Sequence, residues 1–306
     1  MTTHNYSYQA AHADSLKVNW QVDDIIGGDK KLDFSKPFLP ESLAGVRGLS
    51  SLSAKEKLLL NQIRGNSYLH IFGFVEEYIL PFVVDEARST LPAGDTHEVR
   101  ALLAFAEEEA KHIHLFRRFA EEFTAGFGTA CGVIGPAGEV AKVVLSHSKL
   151  GVGLLTLHIE WMTQAHYLDS VKDDQDLDPQ FKSLLRHHWM EESQHAKLDT
   201  LLVEKHARAG GSEGVAKGIA DFAALGGAVD GLLQQQVQLD LTALEAASGR
   251  KLSDAEKQEI SAAQLRAYRY TFLVSGLQHK NLLATVDHIS PGAAEALTGM
   301  ARSLSA

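Results

Sequence analysis

The sequence is poor in the residues that cross-link or interrupt a chain. Of its 306 residues, one is a cysteine and 7 are prolines. The single cysteine, Cys131, excludes an internal disulfide, so packing must stabilise the fold. A hydrophobic content of 45% is enough for a large core. Strand-like alternation of apolar and polar residues is almost absent, which predicts an all-α protein.

Positive charge and long apolar runs are also scarce. The net charge is −10 and Lys and Arg are interspersed with acids, which disfavours a nucleic-acid partner. We expect no membrane span of roughly 20 apolar residues, because Glu76 and Glu77 break the most apolar window, residues 68–84. Residues 1–8 have neither the basic start nor the apolar run of an export signal. These features predict a soluble, cytoplasmic protein.

The chain divides into an arm and a helical body. Residues 1–52, with Pro37, Pro40 and little periodicity, predict an irregular arm packed on the body, where we expect little chemistry. Residues 53–306 predict a single domain, with a bundle over about 53–210 and extra helices over 214–288. The expected bundle helices follow an N-cap at Ser53 and cover 55–88 (kinked at Pro81), 96–125, 139–171 and 180–209. The expected extra helices cover 214–225, 229–248 and 253–288.

Two Glu-x-x-His motifs are the first indication of a functional site. They are Glu109-Ala-Lys-His112 and Glu192-Ser-Gln-His195, and the spacing places both side chains on one helical face, where they can share a metal ion. With 21 glutamates and 15 histidines in the chain, random order would give about one such pair. The motifs therefore need support from their positions.

The position of Glu109 favours a metal ligand. On a helical wheel, Leu102, Phe105, Ile113 and Phe116 lie within about 60° of it, so its carboxylate points into the apolar interior. An unpaired buried carboxylate is so costly that it protonates, pairs or binds a metal. No basic residue of the same helix shares this face.

The other two bundle helices supply one glutamate each, as a four-helix dimetal site requires. Glu160 precedes Glu192 by 32 residues, and Glu76 or Glu77 precedes Glu109 by 33 or 32. At 1.5 Å per residue, the two legs of each helical hairpin then reach the same height. We favour Glu76 over Glu77, because Leu69, Phe72, Ile79, Leu80 and Val83 share its face. His188, four residues before Glu192, is a third candidate imidazole.

The whole ligand set resembles that of the p-aminobenzoate N-oxygenase family of ferritin-like di-iron proteins. The resemblance is carried by Glu76, Glu109-x-x-His112, Glu160 and His188-x-x-x-Glu192-x-x-His195. It covers nearly the whole chain, and the third histidine distinguishes this family from most di-iron carboxylate proteins. It implies a ferritin-like four-helix bundle that binds two iron ions (Fe²⁺/Fe³⁺), activates O₂ and oxidises an amine nitrogen to a hydroxylamine or nitro group.

We expect no catalytic side chain beyond these ligands, and carboxylates with neutral imidazoles suit iron or manganese. Substrate would enter along the bundle axis, where the wheel places Thr156, Leu157, Thr163, Gln164 and Tyr167 near Glu160; helix packing explains those five equally well. No flavin or nicotinamide fingerprint is present, so electrons would come from an external donor. A homodimer is left open.

Other functions remain open at this stage. A di-iron hydroxylase or desaturase acting on C–H bonds is the first alternative, and a non-catalytic iron-binding protein is the second. The length disfavours iron storage, because the chain far exceeds a bare four-helix bundle. A helical domain without metal is the remaining alternative.

Overall fold

The computed structural model describes residues 4–93 and 95–305, and within them the protein is built from α-helices. They are α1 (Tyr8–Ser15), α2 (Val22–Ile25), α3 (Glu41–Ala44), α4 (Ala54–Thr90), α5 (Thr96–Phe127), α6 (Ala137–Leu145), α7 (Lys149–His166), α8 (Pro179–Ser248), α9 (Asp254–Arg269), α10 (Ser275–Leu277), α11 (Lys280–Ile289) and α12 (Ala293–Ser305). In these residues the β-type pairing is a single bridge between Gly27 and Lys30. The all-α prediction is confirmed.

Four helices form the bundle as two hairpins, α4 with α5 and α7 with the first half of α8. Ser53 caps α4 through a capping box with Glu56, as the sequence predicts. The helix continues through Pro81 to Thr90, and a short connection leads to α5. Helices α4 and α5 both contact α8, which joins the hairpins around one core. The prediction of a four-helix bundle is confirmed.

Helix boundaries differ from the prediction in three places within the body. The single helix expected over 139–171 is divided into α6 and α7. Ser146 ends α6, and Ser148 caps α7 by accepting a hydrogen bond from the amide of Gly151. A π-helical turn, Tyr167–Val171, follows α7. The expected break after Ala209 is a kink in α8 at Gly211, whose φ of 59° and ψ of −164° are not helical. The Gly226-Gly227 pair does not interrupt α8.

The C-terminal region is more divided than expected. The predicted helix over 253–288 is α9, a π-helical turn (Tyr270–Val274), α10 and α11, with His279 capping the last of these. Helix α12 was not predicted; it contacts α9, α10 and α11. The extra helices therefore extend well past residue 288.

The N-terminal arm is partly helical rather than irregular throughout. Helix α1 begins after the N-cap Ser7, and α1 and α2 contact α5 and α8. Helix α3 contacts α4 and α9. The arm therefore lies against the outside of the bundle and reaches helices that carry the predicted ligands.

Helix α4 is long and apolar enough to cross a membrane when judged by length and composition alone. Its most apolar 18-residue window has a mean hydropathy of 1.2, and 56% of that window is buried inside the protein. Core helices of soluble proteins share these properties. The buried face of α4 carries Glu76 and packs in the bundle, so α4 is a core helix of the fold.

Candidate metal centre

Six of the seven predicted ligands meet at the centre of the bundle. They form two overlapping groups, in each of which one ligand atom per residue lies within 4.8 Å of the others. The first group is Glu76, His112, His188 and Glu192, and the second is Glu109, His112, Glu192 and His195. All six side chains are buried, and His112 and Glu192 belong to both groups.

Glu160 lies against this cluster through Glu192. It is 1% exposed, and its Oε2 has no hydrogen-bond partner. Burial, together with the charge of Glu192, raises the pKa of Glu160 well above its usual range. A metal ion would take the place of the proton that such a buried carboxyl group otherwise holds. All seven predicted ligands thus lie in one buried site.

Aromatic rings hold the imidazoles in place. The ring of Phe105 stacks on His195 at a centroid distance of 4.0 Å. Phe72 and Phe116 both present their edges to His188, at 5.3 and 5.0 Å. Because these rings come from α4 and α5, the apolar faces that build the bundle also fix the orientation of the histidines on α8.

Many polar atoms of the site have no hydrogen-bond partner. The orphaned atoms are both oxygens of Glu109, Oε2 of Glu76, Oε2 of Glu160, Oε1 of Glu192, and Nδ1 of His112 and of His188. Nδ1 of His112 lies 3.3 Å from Oε1 of Glu192, but the two atoms lack hydrogen-bond geometry. Buried polar atoms are normally satisfied. Buried carboxylate oxygens and imidazole nitrogens that lie close together without satisfied hydrogen bonds fit a metal site.

The electrostatics favour ionised glutamate beside positively charged imidazole. Burial would raise the pKa of Glu192, but the imidazoles of His188 and His195 hold it well below its usual range. Burial likewise opposes a charge on His188, yet Glu192 and Glu76 raise its pKa to about 9. Its Nε2 lies 3.1 Å from Oε1 of Glu76 and 2.5 Å from Oε1 of Glu192. Without a metal, protons neutralise the cluster.

Two further carboxylates, which the sequence reasoning missed, are hydrogen-bonded to the ring nitrogens of His112 and His195 that face away from the cluster. Glu191 Oε2 lies 2.9 Å from Nε2 of His112, and Glu108 Oε2 lies 2.8 Å from Nε2 of His195. In both histidines Nδ1 faces the cluster, so Nε2–H donates outward. Metal-binding histidines typically donate their second N–H to a carboxylate. The signal was present in the sequence, because each motif reads Glu-Glu-x-x-His.

The N-terminal arm contributes to this outer layer, although little chemistry was expected there. Trp20 is 5% exposed and stacks on His112 at a centroid distance of 6.1 Å. Lys111 Nζ lies 4.1 Å from the centre of the Trp20 ring and 2.5 Å from Oε1 of Glu191. The arm therefore closes the site on the side of His112.

The structure distinguishes the two adjacent glutamates of α4. Glu76 is 2% exposed and belongs to the cluster. Glu77 pairs with Arg117 at the surface, with 2.8 Å between Oε1 and the guanidinium. The sequence left the candidate ligand on α4 open between Glu76 and Glu77. In the structure, Glu76 is the one that lies in the cluster.

The five predicted substrate-lining residues are packed or hydrogen-bonded within the fold, and Gln164 also lines a surface pocket with Leu168 and His279. Thr156 and Leu157 are fully buried by packing, and Thr163 donates to the carbonyl of Ile159. Gln164 donates to the carbonyl of Trp189, on whose ring Tyr167 stacks. The described residues also form an apolar cavity of about 70 Å³ against Phe72, Val75 and Ile159.

Four helices that each direct carboxylates into a bundle, two of them with Glu-x-x-His, define the arrangement of the ferritin-like dimetal proteins. The fold class is therefore ferritin-like, and the buried groups can bind a pair of metal ions. Neither a family model nor a curated protein matches the chain.

Solved structures of R2-like ligand-binding oxidases resemble the chain at low identity. A single-site variant with an anaerobically reconstituted Mn/Fe cofactor is 12% identical, with a TM-score of 0.48, over 87% of this chain and 94% of that one. A form with an aerobically reconstituted Mn/Fe cofactor is 13% identical, with a TM-score of 0.46, over 87% and 93%.

Proposed function

We propose that the protein is a di-iron oxygenase that activates O₂ and oxidises the nitrogen of a small amine. The observation that carries the proposal is His188, a third buried imidazole within 3.1 Å of Glu76 and 2.5 Å of Glu192. Two Glu-x-x-His motifs and two further glutamates already satisfy a dimetal site. The added imidazole matches the feature that suggested the N-oxygenase family from sequence.

We assign the ligand roles from the two groups. Glu192 and His112 belong to both groups, and of these two only the carboxylate offers two oxygens, so Glu192 could serve both metals; Glu109 is its counterpart in the sequence repeat. Glu76 and Glu160 would be further carboxylate ligands. Oxygen and imidazole donors without thiolate favour Fe(II), and the same donors accept manganese. Bound iron would supply the electrons that O₂ reduction requires.

The chain's own residues would orient and enclose the reaction. Glu108 accepts a hydrogen bond from Nε2–H of His195, and Glu191 accepts one from Nε2–H of His112. Each of these histidines would then present Nδ1 to the metals. Phe72, Phe105 and Phe116 exclude water from the imidazoles. Reducing equivalents would come from an external donor, and we place the protein in the cytoplasm. Assembly as a homodimer remains open.

The proposal is tested with protein loaded anaerobically with Fe(II). We expect close to two irons per chain, O₂ uptake on mixing with air-saturated buffer, and faster uptake with aniline than with toluene. Aniline products carrying a new N–O bond, labelled from ¹⁸O₂, would support N-oxygenation. Oxidised toluene without oxidised aniline would instead support the C–H hydroxylase.

A matched variant separates the metal centre from background chemistry. Glu109→Gln removes a buried carboxylate charge from the cluster, whereas Glu107→Gln changes an exposed neighbour. We expect loss of iron and of O₂ uptake only in Glu109→Gln. If the protein binds iron but oxidises neither aniline nor toluene, the result would support a non-catalytic iron protein and contradict the oxygenase proposal.

A further inference from the structure

An apolar inner cavity lies directly behind the metal ligands. It has a volume of about 70 Å³ and is enclosed by α4, α6, α7, α8 and the turn after α9. Phe72, which lines it, presents its ring edge to His188, and Val75 and Ile159 immediately precede Glu76 and Glu160. One layer of side chains thus separates the inner cavity from the predicted ligands.

An outer groove on the surface leads towards the inner cavity. It lies between α6 and α8 and has a volume of about 330 Å³. Five side chains line both spaces: Val140, Val144, Leu155, Val229 and Leu232. The partition is therefore one side chain thick and consists of aliphatic groups, which no hydrogen bond holds in place.

A second groove approaches the inner cavity from the side of α12, but its wall is more firmly fixed. It shares only Leu155, His158 and Leu273 with the inner cavity. The Nε2 of His158 lies 3.1 Å from the carbonyl oxygen of Phe272. A Cβ added to Gly276 would lie 2.5 Å from the same ring, so His158 is also tightly packed. Access through this wall would break a buried hydrogen bond.

We propose that the outer groove and the inner cavity form one binding site for an uncharged molecule with an apolar body. The groove would hold the body, and the cavity would hold the end that lies nearest to the metal ligands. The site rests on the proposed function only in that its inner end faces the metal ligands. Of the residues that line the groove, Glu139 is the charged one, and it pairs with Lys142 at the rim; the others carry no charge to match an ionic substrate. Burying an unpaired charge in the inner cavity would be prohibitive.

Two glycines of α8 provide a matched test. Gly231 lines the outer groove and Gly226 lines the second groove, and a Cβ at either would meet nothing within 4 Å. Phenylalanine at either site should fill a groove without disturbing the core, and replacing a helical glycine favours the helix. The probe is N-phenylnaphthylamine, whose fluorescence rises in apolar surroundings, added under argon to the Fe(II)-loaded protein and to the metal-free protein.

We expect Gly231→Phe to weaken probe binding at least about tenfold, and Gly226→Phe to leave it unchanged. The sulfonated analogue, anilinonaphthalenesulfonate, should bind the unmodified protein at least about tenfold more weakly than the uncharged probe. Unchanged binding in Gly231→Phe, or loss in Gly226→Phe alone, would overturn the proposal. Because the probe is measured without O₂, a failure here is distinct from a failure of metal loading or of O₂ uptake.

Discussion

Glu191 and His112 join α8 to α5 across the metal centre. Oε2 of Glu191 lies 2.9 Å from Nε2 of His112, and the mirrored pair, Glu108 and His195, lies at 2.8 Å. Each glutamate directly precedes a predicted metal ligand on its own helix and holds the histidine of the other helix. The outer carboxylates therefore couple the two motifs as well as orient their imidazoles.

Neutralising either outer carboxylate should weaken metal binding. We expect Glu191→Gln and Glu108→Gln each to lower Fe(II) affinity by about 10- to 100-fold, because the imidazole loses its acceptor and its fixed orientation. Anaerobic competition with a chelator of known affinity measures the change. Glu107→Gln, at an exposed position beside them, is the control and should bind iron normally. Equal affinity in all three variants would contradict the role.

The third imidazole should be required for full metal occupancy. His188→Ala removes a side chain that contacts Glu76 and Glu192, so we expect fewer than two irons per chain after gel filtration. His187→Ala is the matched control, because His187 faces Trp20 and not the cluster. Elemental analysis of both variants checks this. Two retained irons in His188→Ala would show that the residue is only structural.

Metal should stabilise the fold through the orphaned atoms of the site. With free Fe(II) or Mn(II) at roughly 1,000 times Kd, linkage predicts a gain of about 4 kcal/mol in the free energy of unfolding. Glu109→Gln should abolish most of that gain, since both oxygens of Glu109 lack partners in the protein. Thermal unfolding with metal and with chelator gives the comparison. A full metal-dependent gain in the variant would place the metal elsewhere.

A buried carboxylate away from the metals should make stability depend on acid pH. Glu86 is fully buried, and its oxygens lie 2.7 Å from Lys149 Nζ and 3.2 Å from Nε2 of His206. Burial opposes ionisation, but these two partners hold the pKa of Glu86 below its usual range. The stabilisation is therefore present above the unfolded pKa of about 4.3 and is lost as pH falls through the folded value.

The test compares the unmodified protein with Glu86→Gln. We expect the variant to lose about 1–3 kcal/mol of unfolding free energy at pH 7, and the difference to shrink as the pH falls below about 4. Denaturant unfolding at several pH values measures it. Glu77→Gln, which removes an exposed ion pair with Arg117, should change stability by less than about 0.5 kcal/mol. A pH-independent difference for Glu86→Gln would exclude linkage.

The sequence predicts the inner layer of the site well because that layer follows helical geometry. Rise and periodicity are local properties, so the offset between Glu160 and Glu192 is enough to place both at one height. The partnership of Glu191 with His112 depends on how two helices rotate against each other, which periodicity does not specify. Similarly, packing keeps α8 helical through Gly226, where propensity alone favours a break.

The crossed pairs Glu191–His112 and Glu108–His195 have a consequence for how the site can be assembled. A fragment ending after α5 would contain a Glu-x-x-His motif whose histidine lacks its acceptor, and a fragment beginning at α7 would have the same defect. Neither hairpin alone holds a complete set of oriented donors. Metal affinity should therefore appear only when both hairpins are folded together, so that loading reports on completion of the bundle.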